Sequence, residues 1–184
     1  MAATPPVCEF DASAIDFCLP DTTGKLWTLA DCRGPKGLIV MFICNHCPYV
    51  KAILADLVMD LQILYNLGVH SVAIMSNDII AYPEDAPRKM AELAESYHFS
   101  FPYLYDEQQV VARDYGAVCT PDFFGYNEAL QLQYRGRFDS RQKSLLPEPG
   151  AKHDLLEAMT RVAQTGQGPR EQVASVGCSI KWRG

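Results

Sequence analysis

The sequence predicts a mixed α/β sandwich of three layers, a central sheet covered by helices on both faces. Three observations carry that expectation. The run Gly37-Leu38-Ile39-Val40-Met41-Phe42-Ile43 is continuously apolar, rich in β-branched residues and preceded by Gly34 and Pro35. Such a run reads as a strand buried on both sides, which requires helices above and below it. Strand-like and helix-like segments then alternate, before a pair of strands and a last helix. Finally, a 184-residue chain that is 48% apolar can bury roughly 70% of its unfolded surface in one core, without a disulfide or metal staple.

Residues 17–29 come first and read as an added N-terminal hairpin, with the Asp21-Thr22-Thr23-Gly24 cluster as its turn. After the buried strand, Val50, Leu54, Leu57, Leu61 and Leu64 recur at helical spacing, which predicts a helix over 48–66. Pro48 suits its first turn and Gly68 its exit. Residues 69–75 form the next strand. A helix over 82–98 is opened by Pro83, Glu84 and Asp85. Glu84, Asp85, Glu92 and Glu95 read as a solvated helix face without acid–base work. A short strand over 101–105, a helix over 107–115 closed by Gly116, strands over 122–127 and 130–135, and a helix over 154–162 complete the set. The expected organisation is one domain, 1–163, with an extended tail, 164–184, packed on it; Ile180 and Trp182 would anchor the tail.

A net charge of −6 argues against nucleic acid and anionic membrane as partners. No apolar run approaches the roughly 18 residues that span a bilayer. Residues 1–10 lack the basic and apolar regions of a secretory signal, so the expected location is cytoplasmic. No glycine-rich phosphate loop is present, and no cofactor is expected.

Seven cysteines, an odd number, do not read as a disulfide framework. The exception is Cys44-Asn45-His46-Cys47, which lies where the buried strand gives way to a helix. Helix N-termini carry unpaired N–H groups and roughly half a positive charge, both of which favour thiolate over thiol. On this reading Cys44, at the helix entrance, is the attacking sulfur, and Cys47, one turn on, resolves the mixed disulfide. His46 would stabilise the Cys44 thiolate. A structural zinc site would want a second close pair of ligands, and none exists, so no metal is expected.

These residues resemble the thioredoxin superfamily, in its AhpC/TSA- and TlpA-like redoxin branch, over about residues 10–162. Three pieces carry the resemblance: Phe17-x-Leu19-x-Asp21-x-x-Gly24-Lys25, the strand leading into Cys44-Asn45-His46-Cys47-Pro48, and Thr120-Pro121 before a strand. The string from Asn45 to Val50 and the tail Gly177-Cys178-Ser179-Ile180-Lys181-Trp182 resemble a peroxiredoxin-like subgroup. The resemblance implies a thioredoxin-like sandwich in which Pro121, in cis, faces the dithiol across a substrate groove that Asn45, Thr120 and Cys119 would line. Two departures stand out. Ile43 replaces the tryptophan before the first cysteine, and the strand near Leu38 lacks its buried acid. The proton acceptor for the resolving thiol must then be His46 or an acid from elsewhere.

Three functions follow. Thiol–disulfide exchange uses Cys44 and Cys47 on protein or small-molecule disulfides. A thiol peroxidase would oxidise Cys47, which aligns with the Cys-Pro of peroxiredoxins, and use Cys44 as the condensing thiol, with Arg135 and Arg137 as candidate peroxide ligands against a reading of solvated charge. Its electron donor would be of the thioredoxin or glutathione type. A metal carrier would pair Cys44 and Cys47 with His70, His98 or His153. Cys178 is a candidate third redox thiol.

Overall fold

The computed structural model describes residues 2–6, 8–141 and 150–184. The chain opens with β1 (Ala2–Ala3) and then makes the hairpin β2 (Cys18–Pro20) and β3 (Leu26–Thr28). Asp21 organises its turn, its carboxylate accepting the Thr23 and Lys25 amides at 2.8 and 3.1 Å and the Trp27 indole N–H at 2.9 Å. A short helix α1 (Leu29–Cys32) was not expected. It forms because Thr28 and Asp31 make a reciprocal capping box.

Then follow β4 (Gly37–Phe42), α2 (Pro48–Asn66) and β5 (Val69–Met75), as the periodicity predicts. The predicted helix over 82–98 is shorter than expected. A 3₁₀ turn, Pro83–Asp85, precedes α3 (Pro87–Ser96), and Ala86 between them is extended. The cause is local: a residue before proline is driven out of the helical region. Next come β6 (Tyr103–Tyr105), α4 (Val110–Asp114), β7 (Cys119–Thr120), β8 (Asp122–Asn127), β9 (Leu132–Gly136), α5 (Asp154–Thr165) and β10 (Gly177–Ser179). Helix α5 runs to a left-handed Gly166, with φ of 74°.

The central sheet has the order β6-β5-β4-β8-β9. Strands β4, β5 and β6 are parallel, whereas β8 and β9 are antiparallel additions. Strand β4 shows how the two cores divide. Ile39, Met41 and Ile43 face the cluster built on α2, α3 and α5, while Leu38, Val40 and Phe42 face the one under α1 and α4. Alternation along a strand places successive side chains on opposite faces, and both faces here are apolar. The expected mixed α/β sandwich is therefore the fold found.

A second, small sheet has the order β1-β10-β7. Its middle strand comes from the tail, so residues 177–179 lie paired on both edges. Gly177 permits the approach: a Cβ there would stand 2.1 Å from the Thr120 carbonyl oxygen. Ile180 is buried, while Trp182 stays partly exposed beneath the Arg113 guanidinium. Among the described residues, no helix is long and apolar enough to cross a membrane.

Candidate active site

The end of β4 delivers the chain to Cys44, and α2 starts at Pro48 with Cys47 as its N-cap. This corrects the expectation that Cys44 occupies the helix entrance. The two free thiols are 1% and 0% exposed, and both sulfurs meet Thr120. Opposite them is the loop between β7 and β8, where the Thr120–Pro121 bond is cis. Cys44 Sγ shares a hydrogen bond with Thr120 Oγ1 at 3.2 Å. As a thiol, Cys47 donates to the Thr120 carbonyl at 3.1 Å.

Cys47 is held down at about 5, with the neighbouring Cys44 the largest cause; Cys178 and the Val50 amide lower it further, against the burial that raises it. Cys44 moves the other way. Its hydrogen bond to Cys47, then burial, then the Asp85 charge push its thiol far up. The two shifts run in opposite directions and favour the thiolate on Cys47 over Cys44.

His46 lies beside Cys44 and is held by an acid that the sequence reading did not name. Its Nδ1–H donates to Asp85 Oδ2 at 2.6 Å, and its ring stacks on Tyr82 at 5.1 Å. Asp85 is 0% exposed, so its reading as a solvated helix acid is overturned. The same carboxylate accepts the Asn45 and His46 amides at 2.8 and 3.2 Å and the Asn77 side-chain amide at 2.8 Å. Four donors compensate the burial of one charge. Cys44, His46 and Asp85 place their polar atoms within 4.8 Å of one another. Asp85 thus places a buried carboxylate beside the pair, where the strand near Leu38 offers none. One signal pointed to it: the acid stands in Pro83-Glu84-Asp85-Ala86-Pro87, where two prolines prevent a continuous helix.

The remaining candidates divide. Asn45 is buried and pinned, its Nδ2 donating to the Glu84 carbonyl and its Oδ1 accepting the Tyr103 hydroxyl at 3.1 Å. It sets the backbone of the turn rather than lining a groove. Cys119 is fully buried with its thiol raised by desolvation, and it backs the cis loop. Pro121 lines a small cavity with Tyr49, Ile53, Phe138 and Val176. Cys178 faces Thr120 across the strand pair and reaches Cys47. Arg135 is not the solvated charge of the alternative reading: it is buried, 3.0 Å from Asp122, with its face on Phe124. Arg137 pairs with Asp154 at 2.5 Å. The histidines expected of a metal carrier lie elsewhere: His153 donates to Asp60, His70 stacks on Tyr65, and His98 sits just beyond α3.

Comparison with known proteins gives a consistent result. The model of the AhpC/TSA family matches residues 11–138. An uncharacterised conserved protein from Geobacillus kaustophilus is similar at 39% identity and a TM-score of 0.91, covering 100% of this chain and 97% of its own. A hypothetical protein from Sinorhizobium meliloti is similar at 38% identity and a TM-score of 0.90, covering 98% of each chain. A secreted disulfide oxidoreductase of Mycobacterium tuberculosis, homologous to E. coli DsbE, shares the fold at 18% identity and a TM-score of 0.58, covering 79% of this chain and 95% of its own. The comparison with curated proteins finds no match.

Proposed function

The chain belongs to the AhpC/TSA family of thioredoxin-fold redoxins, and from that premise and the sulfur geometry we propose that it is a thiol–disulfide oxidoreductase working through Cys44 and Cys47. The observation that carries this reading is the pair itself: two free, buried sulfurs that converge on Thr120 at the start of α2.

In the reducing direction, the Cys47 thiolate attacks one sulfur of a disulfide. A Cys47 mixed disulfide forms and the first substrate thiolate leaves. Cys44 then attacks the Cys47 sulfur, forming the Cys44–Cys47 bond and releasing the second thiolate. The proton that Cys44 gives up passes to the His46–Asp85 pair and on to the leaving thiolate. Because Nδ1–H is committed to Asp85, Nε2 is the ring nitrogen free to carry it. Asp85 positions the imidazole and compensates its charge.

A thiol peroxidase is the second reading, favoured by the Cys47 thiolate standing directly before Pro48. There Cys47 would attack a hydroperoxide oxygen to give a sulfenic acid and an alcohol or water, and Cys44 would condense with it and release water. The pairing of Arg135 with Asp122 and of Arg137 with Asp154 gives both candidate peroxide ligands a structural partner, which weighs against it.

Reduction of oxidised glutathione and consumption of hydrogen peroxide, compared in wild type, Cys44→Ser and Cys47→Ser, test both readings. Exchange led by Cys47 is expected to vanish in Cys47→Ser and, in Cys44→Ser, to trap Cys47 in a disulfide with glutathione or with its neighbour Cys178. An adduct on Cys44 in Cys47→Ser would return the attacking role to Cys44. Peroxide consumption with a Cys47 sulfenic acid and no disulfide reduction would favour the peroxidase.

A further inference from the structure

Resting on the exchange reading, we propose that Cys178 is the outer sulfur of a three-thiol relay, through which large disulfides such as those of proteins exchange with the buried Cys44–Cys47 pair. Burial supplies the argument. Exchange needs the attacking sulfur in line with the substrate's sulfur–sulfur bond, and Cys44 and Cys47 have almost no exposed surface. A folded protein cannot bring a disulfide to them while the tail is in place. Cys178 is only partly buried, so it has surface to offer.

The fold brings this outer sulfur to the inner pair. Strand β10 sets Cys178 opposite Thr120, the residue whose carbonyl lies 3.1 Å from Cys47 Sγ. Pairing with both β1 and β7 fixes the strand, and Gly177 allows the close packing. Beyond it, the Lys181 amide donates to Asn77 Oδ1 at 2.9 Å, and Asn77 in turn holds Asp85. The tail is therefore fastened to the same carboxylate that holds His46. Cys178 packs against the buried cluster that contains Cys44 and Cys47.

The steps balance. The Cys178 proton passes to the neighbouring Cys47, and the Cys178 thiolate attacks the substrate disulfide, releasing the first substrate thiolate, which takes that proton back from Cys47. Cys47 attacks the Cys178 sulfur, forming a Cys47–Cys178 disulfide and releasing the second substrate thiolate. Cys44 attacks Cys47, gives its proton to the departed thiolate, and frees Cys178. The substrate has gained two electrons and two protons, the Cys44–Cys47 pair has been oxidised, and the negative charge has moved from Cys47 to Cys178. Before reaction, burial and the neighbouring Cys47 charge keep the Cys178 thiol up at about 11, so it is quiet until Cys47 is neutralised. Lys181 favours the thiolate once it forms.

Two disulfides of different size test the relay in the full chain: insulin and oxidised glutathione, with dithiothreitol as the final reductant. Replacing Cys178 by Ser or Ala is expected to lower the insulin rate relative to the glutathione rate by at least ~10-fold. Cys18→Ser, at an exposed thiol, should keep the wild-type ratio. Cys44→Ser exposed to insulin disulfide should accumulate a Cys47–Cys178 bond, seen in a non-reduced peptide map. An unchanged ratio in both Cys178 variants, or an insulin adduct carried by Cys47 itself in Cys44→Ser, overturns the relay and leaves the exchange reading intact. A wild type that reduces neither disulfide defeats the exchange reading, and the relay with it.

Discussion

At the scale of single residues, the charge on Cys47 is made by its neighbours more than by its place at the helix start. The Cys44 thiol is the largest stabilising contact, ahead of the two amides and Cys178. Removing that donor is therefore expected to move Cys47 from about 5 toward its ordinary value of 9.0. Thiolate absorbance of the reduced protein, followed against pH, should show the shift in Cys44→Ala. Cys44→Ser should show less of it, because a hydroxyl still donates. Equal titrations in wild type and Cys44→Ala would contradict this. Asp85 invites a parallel experiment. Asp85→Asn keeps an oxygen for the two backbone amides but turns an NH₂ toward His46 Nδ1 or Asn77. A loss of roughly 1–3 kcal/mol is expected from the unpaired group. Closure of the Cys44–Cys47 disulfide from a Cys47 mixed disulfide should slow by about 100-fold at neutral pH and recover as pH rises. A loss that is independent of pH would make Asp85 merely structural.

Asp85 also shows where a linear reading stops. Cys44, His46 and Cys47 were legible because their chemistry lies in four consecutive residues. Asp85 was not, since the carboxylate that holds His46 comes from a separate turn 39 positions on.

Elements differ in the same way. Strands β4 and β5 and helix α2 were legible because burial on both faces, or on one helical stripe, leaves a local pattern of apolar residues. The short strands β1, β7 and β10 leave none: two or three residues pair with partners far along the chain. The small sheet that seats Cys178 therefore had no sequence signature apart from Gly177. That glycine gives the sheet its own test. In Gly177→Ala the new methyl meets the Thr120 carbonyl, and the strand must retreat. A cost of about 1–3 kcal/mol is expected, read as a lowered Tm. Cys178 should alkylate faster as it leaves Cys47. An unchanged Tm and unchanged alkylation would show that β10 does not press on β7 in solution.

For the whole molecule, the thiolate couples folding to pH. Cys47 titrates at about 5 when folded and near 9.0 when unfolded. Below both values each state holds the proton and the group contributes nothing. Between them only the unfolded state is protonated, so the reduced fold gains stability as pH rises, with the full contribution present above 9.0. Buried Asp122, raised to about 6, works against this at acid pH. The Tm difference between reduced wild type and reduced Cys47→Ser removes such shared effects, and should widen steadily from pH 5 to pH 9. A constant difference would mean that Cys47 carries no lowered titration.

Redox behaviour of the pair itself is the most direct test. Cleavage after Lys36 and Lys51 places both sulfurs in the single peptide 37–51. The full chain is equilibrated with glutathione mixtures of graded poise, quenched in acid and mapped by mass spectrometry. The expected result is that Cys44 and Cys47 lose two hydrogens together, at one potential, and that dithiothreitol restores them fully. Two thiols that stay free across the whole range, or that end as separate glutathione adducts, would contradict a Cys44–Cys47 redox couple.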